Sequence, residues 1–356
     1  MVLGILVREK AQTLFYFKKG QINQAVEMKK FGKDYGVKVK IIDLKETKYF
    51  KKIKKEVDLI HDKCYSQKKE ERKLFIEFHK KCKKEKVPIF NDYELIKIVG
   101  NKWRLNNFLK NKKTLKTYLV PTFFYNIKNI NNLIKSCGDL ILKPIWGQEG
   151  KGIINLKKGG KIFWASYKRK ENGKIKIKNK KLKNFSDVGF LIKEVWRNNN
   201  YIVQPQIDSL KFKNNIFDIR LTAQKMDRWE ISGIGARVAG SGSFLCNIAA
   251  GGEMFDGEYV VGKSFPTKAK EIIEELKLTA KKTAKLLEKN IDGVVAELGF
   301  DFMIDKKGKI WLLEINSKPS PEIFYKKEME NIRKKMTLWP ICFAKYYYEN
   351  KKLKRN

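Results

Sequence analysis

The sequence of residues 297–316 predicts a hairpin of two strands, and this segment constrains the fold more than any other part of the sequence. The run ELGFDFMI is followed by the five-residue turn DKKGK and by a second apolar run, IWLLEIN. Side chains of a strand alternate between its two faces. One face of the hairpin therefore carries Glu297, Gly299 and Asp301 from the first strand and Glu314 and Asn316 from the second. We expect Asp301 to lie near Glu314 and Asn316.

The chemistry of this face suits a metal ion. Acidic groups that share an otherwise apolar sheet face repel one another and lose hydration, so they are costly unless a cation offsets them. Mg²⁺ prefers one or two carboxylates, and an Asn carbonyl adds a neutral ligand. We predict that Asp301, Glu314 and Asn316 bind the metal. The alternative is a solvated face that pairs with lysines, which is weakened because no Lys or Arg occupies the same-face positions. The alternating neighbours should point into the core: Phe300, Phe302, Leu313 and Ile315.

A lysine and a glycine-rich turn form a second signal. The segment LILKPIWGQEGKGIINL places Lys143 at the end of an apolar strand, before a turn with Gly147, Gly150 and Gly152. Glycine lets backbone amides approach a phosphate without a Cβ in the way, and an ammonium at a strand end needs an anionic partner. The segment is not a Walker A loop, because it lacks that spacing, a Ser or Thr after the Lys, and a following helix. We predict a flap over phosphates, with an ordinary hairpin turn as the alternative.

Two arginines follow on later strands. In FDIRLTAQ an apolar face alternates with a polar face that carries Arg220. Arg237 precedes the glycine-rich AGSGSF, and Asn247 precedes AAGGE. Both arginines suit bidentate contact with phosphate or carboxylate oxygens as charge builds in a transition state. Surface arginines on a half-exposed sheet are the alternative, although the adjacent glycine-rich breaks favour a site.

The rest of the chain alternates apolar strands with helical patterns, which indicates an α/β protein with α+β character. The first strands and helices predict a small parallel sheet over residues 1 to about 95. Two helices should follow, the first capped by Asn91 or Asp92 and the second beginning near Asn101. Beyond residue 118 we predict short strands, EYVVG among them, then helices over 268–289 and 338–348. The basic segment 168–183 should be an exposed hairpin or a mobile loop.

Composition excludes several classes of protein. The formal charge of +39, from 78 Lys and Arg against 39 Asp and Glu, would attract nucleic acid or acidic polymers. The lysines are spread over nearly every segment and no RNA-binding signature occurs, so we predict no specific nucleic-acid binding. No apolar run approaches a membrane span and no secretory signal is recognisable, so we expect a cytoplasmic protein without a membrane partner. Five widely spaced cysteines argue against disulfides and zinc.

In their order along the chain, these features resemble the ATP-grasp superfamily. The segments DIRLTAQK, GIGARVAGSGSF and ELGFDFMIDKKGKIWLLEINSKP are similar to its spore-coat-associated YheC/YheD-like group. The resemblance covers nearly the whole chain and implies an N-terminal pre-ATP-grasp Rossmann-like domain followed by a two-lobed ATP-grasp fold. The implied boundaries are 1–98 for the first domain, 99–203 for subdomain A with the phosphate loop, 204–336 for subdomain B with the metal site, and 337–356 for a C-terminal helix and basic tail.

The resemblance also implies a role for each matched residue. The phosphate contacts would be Lys102 and Lys143. The mobile loop over the phosphates would be Gly147, Gln148, Glu149, Gly150, Lys151 and Gly152. The adenine hinge would be Gln204, Pro205, Gln206 and Ile207, followed by Asp208 as a ribose contact. The residues facing the γ-phosphate and the activated acyl group would be Arg220, Arg237 and Asn247. The ligands of Mg²⁺, or of Mn²⁺ as the alternative ion, would be Asp301, Glu314 and Asn316.

The implied activity is that of an ADP-forming ligase. ATP would phosphorylate a carboxylate, and an amine, or less often a thiol, would displace the phosphate. No protein nucleophile is needed. This suits a chain whose two histidines, His61 and His79, are predicted to lie in the N-terminal unit, away from the proposed reaction site. We predict a structural role for His61.

Several alternatives stay open at this point. They are an ATP-grasp kinase that phosphorylates a hydroxyl, a nucleotide-binding coat protein without turnover, and nucleic-acid binding by bulk charge. The acid and the amine are unspecified. An acidic peptide and a second copy of the chain in a homodimer are the open partners, and the resemblance adds the spore coat as a second location.

Overall fold

The computed structural model describes residues 1–9, 24–64, 68–147, 149–160, 162–171, 174–196, 200–248 and 251–353. These residues form three β-sheets with helices packed on them, which confirms the predicted mixed α/β class. Within these ranges, we find no helix with the length and apolar character needed to span a membrane.

The first sheet is parallel, with the strand order β2-β1-β3-β4. Its strands are β1 (Val2–Val7), β2 (Lys38–Asp43), β3 (Leu59–Asp62) and β4 (Ile89–Phe90). The crossovers contain helices α1 (Gln24–Asp34), α2 (Phe50–Glu56) and α3 (Lys69–Lys84). Parallel strands need such crossovers, and burial on both faces explains the continuous apolar run of β1. The predicted parallel sheet is confirmed. The sequence also predicts a helix over residues 21–35, which corresponds to α1, and residues 21–23 lie outside the described residues.

Two short helices join this sheet to the rest of the chain, as predicted. They are α4 (Tyr93–Val99) and α5 (Lys102–Lys110). Asp92 caps α4 and Asn101 caps α5, each by accepting a hydrogen bond from a backbone N–H of the first turn, at 2.8 Å and 2.9 Å. Asn91 is not the cap. Its side-chain oxygen accepts a hydrogen bond from the Ala296 N–H at 2.9 Å, which ties the first sheet to the start of the predicted hairpin.

The second sheet is antiparallel, with the strand order β5-β10-β6-β7-β8-β9. Its strands are β5 (Phe123–Phe124), β6 (Leu140–Pro144), β7 (Ile154–Gly159), β8 (Ile162–Glu171), β9 (Lys174–Leu182) and β10 (Tyr201–Pro205). Two helices that we did not predict pack on it, α6 (Ile127–Cys137) and α7 (Phe185–Trp196). The described residues of the basic segment 168–183 lie mainly in β8 and β9, which pair as a hairpin, the first of the two predicted states.

The third sheet carries the hairpin of residues 297–316. Its strand order is β14-β13-β12-β15-β16, with β11 paired to β12. Its strands are β11 (Lys211–Phe212), β12 (Asn215–Lys225), β13 (Trp229–Val238), β14 (Glu253–Asp256), β15 (Glu297–Ile304) and β16 (Ile310–Asn316). The helices packed against it are α8 (Gly257–Ser264), α9 (Ala269–Asn290) and α10 (Glu330–Leu353). Helix α9 confirms the predicted long helix, and α10 is longer than predicted.

One predicted strand is a helix. The sequence predicts a strand at EYVVG, residues 258–262, because Tyr and Val favour strands. These residues lie in α8, and the strand is the preceding segment EMFD, β14. Asp256 caps the helix, since its side chain accepts a hydrogen bond from the Tyr259 N–H at 2.7 Å. The cap and the burial of Val260 and Val261 in the core override the intrinsic preference for a strand.

Candidate functional site

A cavity of about 310 Å³ lies between the second and third sheets and contains most of the predicted site residues. We call it the central cavity. The predicted residues that line it are Lys143, Glu149, Gly150, Gln204, Pro205, Gln206, Ile207, Arg220, Arg237, Asn247, Asp301, Glu314 and Asn316. They come from segments far apart in the sequence, and the packing of the two sheets brings them together.

The hairpin places Asp301 in a row of paired residues across three strands. Asp301 on β15 pairs with Arg220 on β12 on one side and with Glu314 on β16 on the other. Asn316, two residues after Glu314 on β16, pairs with Gly299 on β15. The Asn316 Nδ2 lies 3.4 Å from Asp301 Oδ2. The structure thus brings Asp301, Glu314 and Asn316 together, as predicted, although a bulge in β16 is needed to place Glu314 opposite Asp301.

Two arginines surround the Asp301 carboxylate. Arg220 donates hydrogen bonds from Nε to one carboxylate oxygen and from Nη2 to the other, the second at 2.9 Å. Arg237 Nη2 lies 3.0 Å from Asp301 Oδ2. Burial alone would raise the pKa of Asp301, but the two guanidinium groups outweigh burial and hold that pKa well below its ordinary value. The carboxylate is therefore ionised at neutral pH.

Asp218 is a residue of this site that we did not predict. It lies two positions before Arg220 on β12 and accepts two hydrogen bonds from Arg237, both at 2.7 Å. Burial raises the pKa of Asp218, although the Arg237 guanidinium opposes this effect. The signal was present in the sequence, because the alternation in FDIRLTAQ puts Asp218 on the same face as Arg220.

Leu313 lies on the cavity side, and its predicted place in the core is wrong. Asp301 pairs with Glu314, but the next residue, Phe302, pairs with Leu312, so Leu313 has no partner across the two strands. This extra residue is a β-bulge, which interrupts the alternation of faces. Leu313 and Glu314 consequently both line the central cavity.

Two lysines approach the carboxylates from outside the third sheet. Burial lowers the pKa of Lys143 on β6 to about 8; the Glu314 carboxylate opposes this shift, and the charge of Lys102 adds to it. Lys102 does not itself line the central cavity. Its Nζ lies 3.6 Å from Glu314 Oε2 and donates a hydrogen bond to the Gly147 carbonyl at 2.9 Å. Lys102 therefore connects the hairpin to the glycine-rich loop.

The glycine-rich loop between β6 and β7 lies between two cavities. Glu149 and Gly150 line the central cavity, whereas Gly147 and Lys151 line a second and larger one. Gln148 lies outside the described residues. The loop is thus placed to contact ligands on both of its sides.

Gly152 ends this loop and lines neither cavity. Its φ of 75° is in the left-handed region that favours glycine. Its carbonyl accepts a hydrogen bond from the Tyr201 hydroxyl at 2.8 Å. A Cβ at this position would lie 2.6 Å from Pro144 Cγ, so only glycine fits without a shift of the neighbours.

The predicted adenine hinge lies at the end of β10 and lines the central cavity beside apolar residues. Gln206 Oε1 is buried and has no hydrogen-bond partner among the described residues. The apolar residues that line the same cavity include Val120, Ile141, Met303 and Leu313. An apolar slot with a free acceptor suits a flat heterocycle that carries an amino group.

Asp208, the predicted ribose contact, lies beside the central cavity and not in it. Its side chain is exposed and pairs with Lys306 at 2.8 Å. It lines a neighbouring cavity of about 320 Å³, which shares Pro205, Gln206 and Ile207 with the central cavity.

Asn247 lines the central cavity, and its neighbour Cys246 does so too. The Asn247 carbonyl accepts a hydrogen bond from the Gly252 N–H at 3.2 Å, which closes the turn after this residue. Burial raises the pKa of the Cys246 thiol well above its ordinary value. The thiol is therefore neutral and a poor nucleophile.

His61 contacts the strand that carries Asp301. Its Nε2 lies 2.8 Å from Oε1 of Glu297, which shares a face of β15 with Asp301, and Lys63 Nζ donates to the same oxygen at 2.8 Å. Burial would raise the pKa of Glu297, but Lys63 and His61 hold it at about 2. The first sheet therefore packs directly on the strand that carries Asp301. His61 and Glu297 line neither the central cavity nor the larger one, so the predicted place of His61 away from the centre and its structural role stay predictions.

The donor set of the hairpin fits a hard divalent cation. Asp301 and Glu314 offer carboxylates and Asn316 an amide oxygen, from paired strands. The two arginines and Asn316 direct three N–H groups at Asp301 Oδ2 and one at Oδ1, so Oδ1 keeps a lone pair for a cation. No group of three or more His, Cys, Asp or Glu side chains that could hold a metal occurs in the described ranges. A cation here would consequently need further oxygens from a ligand.

Comparison with known proteins agrees with this fold. The YheC/D-like ATP-grasp family matches residues 86–347. The endospore coat-associated protein YheD of Bacillus subtilis (strain 168) is 25% identical over 295 residues, which cover 79% of this chain and 60% of YheD. YheC, an endospore coat-associated protein of the same strain, is 26% identical over 274 residues, 74% of this chain and 70% of YheC. The match therefore spans less than two thirds of the length of YheD.

Solved structures share the fold at low sequence identity. A D-alanine–D-alanine ligase from Bacillus anthracis, complexed with ATP, has a TM-score of 0.58 and 10% identity, covering 98% of this chain and 99% of that one. A RiPP-associated ATP-grasp ligase from Chryseobacterium gregarium, in complex with ADP and a leader and core peptide, has a TM-score of 0.55 and 10% identity, covering 95% and 96%. The likeness to these structures shows the fold alone. Because the family match covers most of its length, this chain belongs to the YheC/YheD-like ATP-grasp family.

Proposed function

We propose that this chain is an ATP-dependent ligase that uses Mg-ATP to activate a carboxylate and joins it to an amine, with ADP as a product. The observation that carries the proposal is the row of Arg220, Asp301 and Glu314, which shares the central cavity with Lys143 and with the apolar slot beside Gln206. Membership of the YheC/YheD-like ATP-grasp family supports the use of ATP.

The central cavity has separate parts for the base and for the phosphates. The apolar slot would take the adenine ring, and Gln206 Oε1 would accept a hydrogen bond from its amino group. Lys143, which lines the cavity, would contact the phosphates, and Lys102 would reach them from its place beside Glu314, 3.6 Å from Oε2. The glycine-rich loop would close over the phosphates and exclude water.

The hairpin would hold the cation. Asp301, Glu314 and Asn316 would bind Mg²⁺, or Mn²⁺ as the alternative ion, together with phosphate oxygens. When bound, the ion would offset the negative charge of the phosphates.

The arginines would stabilise the phosphoryl group during its transfer. A carboxylate oxygen of the substrate attacks the γ-phosphorus, the bond to ADP breaks, and an amine then displaces phosphate from the acyl phosphate. Arg220 and Arg237 use Nε and Nη2 for the carboxylates of Asp218 and Asp301. Their Nη1 groups are not used by these carboxylates and would stabilise the charge that builds on the phosphoryl oxygens.

The test is a screen of purified protein with Mg-ATP against pooled amino acids and peptides. Phosphate release and mass spectrometry of condensed products are measured together. We expect ADP formation that requires both a carboxylate and an amine. Turnover with a polyol alone would contradict the ligase and favour a kinase, and nucleotide binding without any turnover would favour a coat protein that only binds ATP.

The relatives also suggest a location. YheD and YheC are described as endospore coat-associated proteins, and we propose the same association for this chain after synthesis in the cytoplasm. A fluorescent fusion that stays diffuse throughout sporulation would contradict it.

A further inference from the structure

The second cavity, of about 710 Å³, lies between the first sheet, α4 and the glycine-rich loop. It meets the central cavity at Asn316, which lines both. We propose that the second cavity binds the acid that this protein activates, and that this acid is a short acidic peptide. The activation step rests on the proposed function, whereas the binding of the peptide can be tested without it.

The charged side chains that line this cavity have one sign, and three of them pair with carboxylates that do not line it: Arg8 with Glu71, Lys97 with Glu94 and Lys151 with Glu149. In the part of the chain that the structure describes, every charged side chain that lines the cavity is basic: Arg8, Lys63, Arg72, Lys97, Lys151 and Lys318. The charged groups that the wall itself offers to a ligand are therefore all cationic donors.

Two of these lysines are fixed in place by carboxylates that lie behind the cavity wall. Lys63 Nζ donates to Glu297 and to a backbone carbonyl, both at 2.8 Å. Lys318 Nζ lies 2.7 Å from Asp62 Oδ2 and also donates to a backbone carbonyl. Glu297 and Asp62 are almost fully buried and do not line the cavity. Because an ammonium has three donors, Lys63 keeps one N–H for a ligand, whereas Lys318 also lies over the Phe75 ring, 4.5 Å from Nζ to the ring centre.

Arg72 and Gln24 add donors that lack an acceptor. Arg72 is exposed and has no carboxylate partner among the described residues, and its guanidinium lies 5.9 Å from the centre of the Trp146 ring. Gln24 is 7% exposed, and its Nε2 has no hydrogen-bond partner within the described ranges. A buried donor without an acceptor is costly, so a ligand oxygen at this point would be stabilising.

The size and the apolar lining favour a peptide over a single small acid. The volume lies in the range of about 300–1,000 Å³ that accommodates drug-sized ligands. The donor groups come from α1, α3, the end of β3 and the segment after β16, and these four groups outnumber the two oxygens of a single carboxylate. Phe75, Tyr93 and Trp146 also line the cavity and would cover the apolar atoms of a peptide.

The experiment must separate this cavity from the large positive charge of the whole protein. The probe is a fluorescein-labelled tetraglutamate peptide, and its binding is followed by fluorescence anisotropy at about 150 mM salt, where distant charges are screened. Arg72→Glu reverses a charge inside the cavity. Lys80→Glu makes the same change in net charge on the same helix, α3, at an exposed position that lines neither cavity.

We expect Arg72→Glu to weaken peptide binding at least about tenfold and Lys80→Glu to weaken it less than about twofold. Gln24→Leu, which changes no charge, should weaken it about threefold by removing one donor. Equal effects of Arg72→Glu and Lys80→Glu would overturn the proposal, because bulk charge would then explain the binding. Failure of the unaltered protein to bind the probe at this salt would overturn it too.

Binding of a labelled ATP analogue is measured in the same samples and should be unchanged in all three variants. If Arg72→Glu and Lys80→Glu weakened peptide binding equally while nucleotide binding stayed intact, the peptide site would be refuted and the ligase proposal would stand. Selective peptide binding without any carboxylate-dependent ADP release would refute the ligase and leave the peptide site standing.

Discussion

Arg220 and Asp301 are paired directly across β12 and β15, and the guanidinium of Arg220 binds both oxygens of the Asp301 carboxylate. The two residues are 9% and 1% exposed. Removal of one partner leaves a buried charge less well compensated, so we expect Arg220→Ala to lower the free energy of unfolding by about 3 kcal/mol. Urea denaturation of the nucleotide-free protein measures this loss.

The control is Arg228→Ala. Arg228 also pairs with an acid, Glu230, at 3.0 Å, but its side chain is 77% exposed. Exposed pairs contribute little, so this variant should unfold at the same urea concentration as the unaltered protein. If both variants lost the same stability, the buried position of the Arg220 pair would not be the cause.

The affinity for ATP should depend on pH through Lys143. Burial lowers the pKa of Lys143 to about 8, so this side chain is charged below about pH 8 and neutral above it. A bound phosphate favours the charged form and raises the pKa in the complex. The affinity should therefore fall as the pH rises above about 8, by up to about tenfold per pH unit. Titrations with ATP between about pH 7 and 9.5 measure it, and a constant affinity would contradict a phosphate contact.

Lys143→Arg is the matched variant, because a guanidinium stays charged over this range. Its affinity should not fall with pH. Lys168 near the loop is the competing group, since burial lowers its pKa to about 8 as well. A fall that persisted in Lys143→Arg would assign the pH dependence to Lys168.

The close packing of Gly152 predicts a second loss of stability. Gly152 and Gly160 both have positive φ, 75° and 66°. A Cβ on Gly152 would meet Pro144 and Trp196 at 2.6 Å and 2.9 Å, whereas a Cβ on Gly160 would meet nothing within 4 Å. Gly160→Ala should lower the free energy of unfolding by about 1 kcal/mol, from the backbone alone. Gly152→Ala should lower it by the same amount plus about 1–3 kcal/mol from overpacking. Equal costs in urea denaturation would mean that the loop end is not tightly packed.

The free oxygen of Gln206 predicts a preference for adenine. Gln206→Leu removes the acceptor and keeps much of the side chain. The affinity for ATP should fall about two- to tenfold, while the affinity for inosine triphosphate, which lacks the amino group, should stay the same. Competition titrations with both nucleotides measure this difference, and equal losses would remove Gln206 from base recognition.

Much of the site could be predicted from local patterns. The alternation of strand faces groups Glu314 with Asn316, and the turn DKKGK pairs their strand with the strand that carries Asp301. The same alternation places Asp218 beside Arg220. Capping residues predict where α4 and α5 begin. These features depend on residues close in the sequence, so a local pattern is sufficient.

The other features of the site depend on packing between residues far apart in the sequence or on an irregular strand. Leu313 is turned toward the cavity by a bulge that no periodic pattern contains. The contact between His61 and Glu297 joins residues 236 positions apart, and only the docking of the first sheet on β15 creates it. The second cavity arises in the same way, because its walls come from both ends of the chain.

The most direct test of the account is the binding of ATP to Glu314→Gln at a series of Mg²⁺ concentrations. The substitution removes one negative charge from the predicted metal ligands and keeps the size of the side chain. We predict that ATP binds about tenfold more weakly at low Mg²⁺ and that a higher Mg²⁺ concentration is needed to restore the affinity. An affinity and a Mg²⁺ dependence identical to those of the unaltered protein would contradict a metal–nucleotide site at this hairpin.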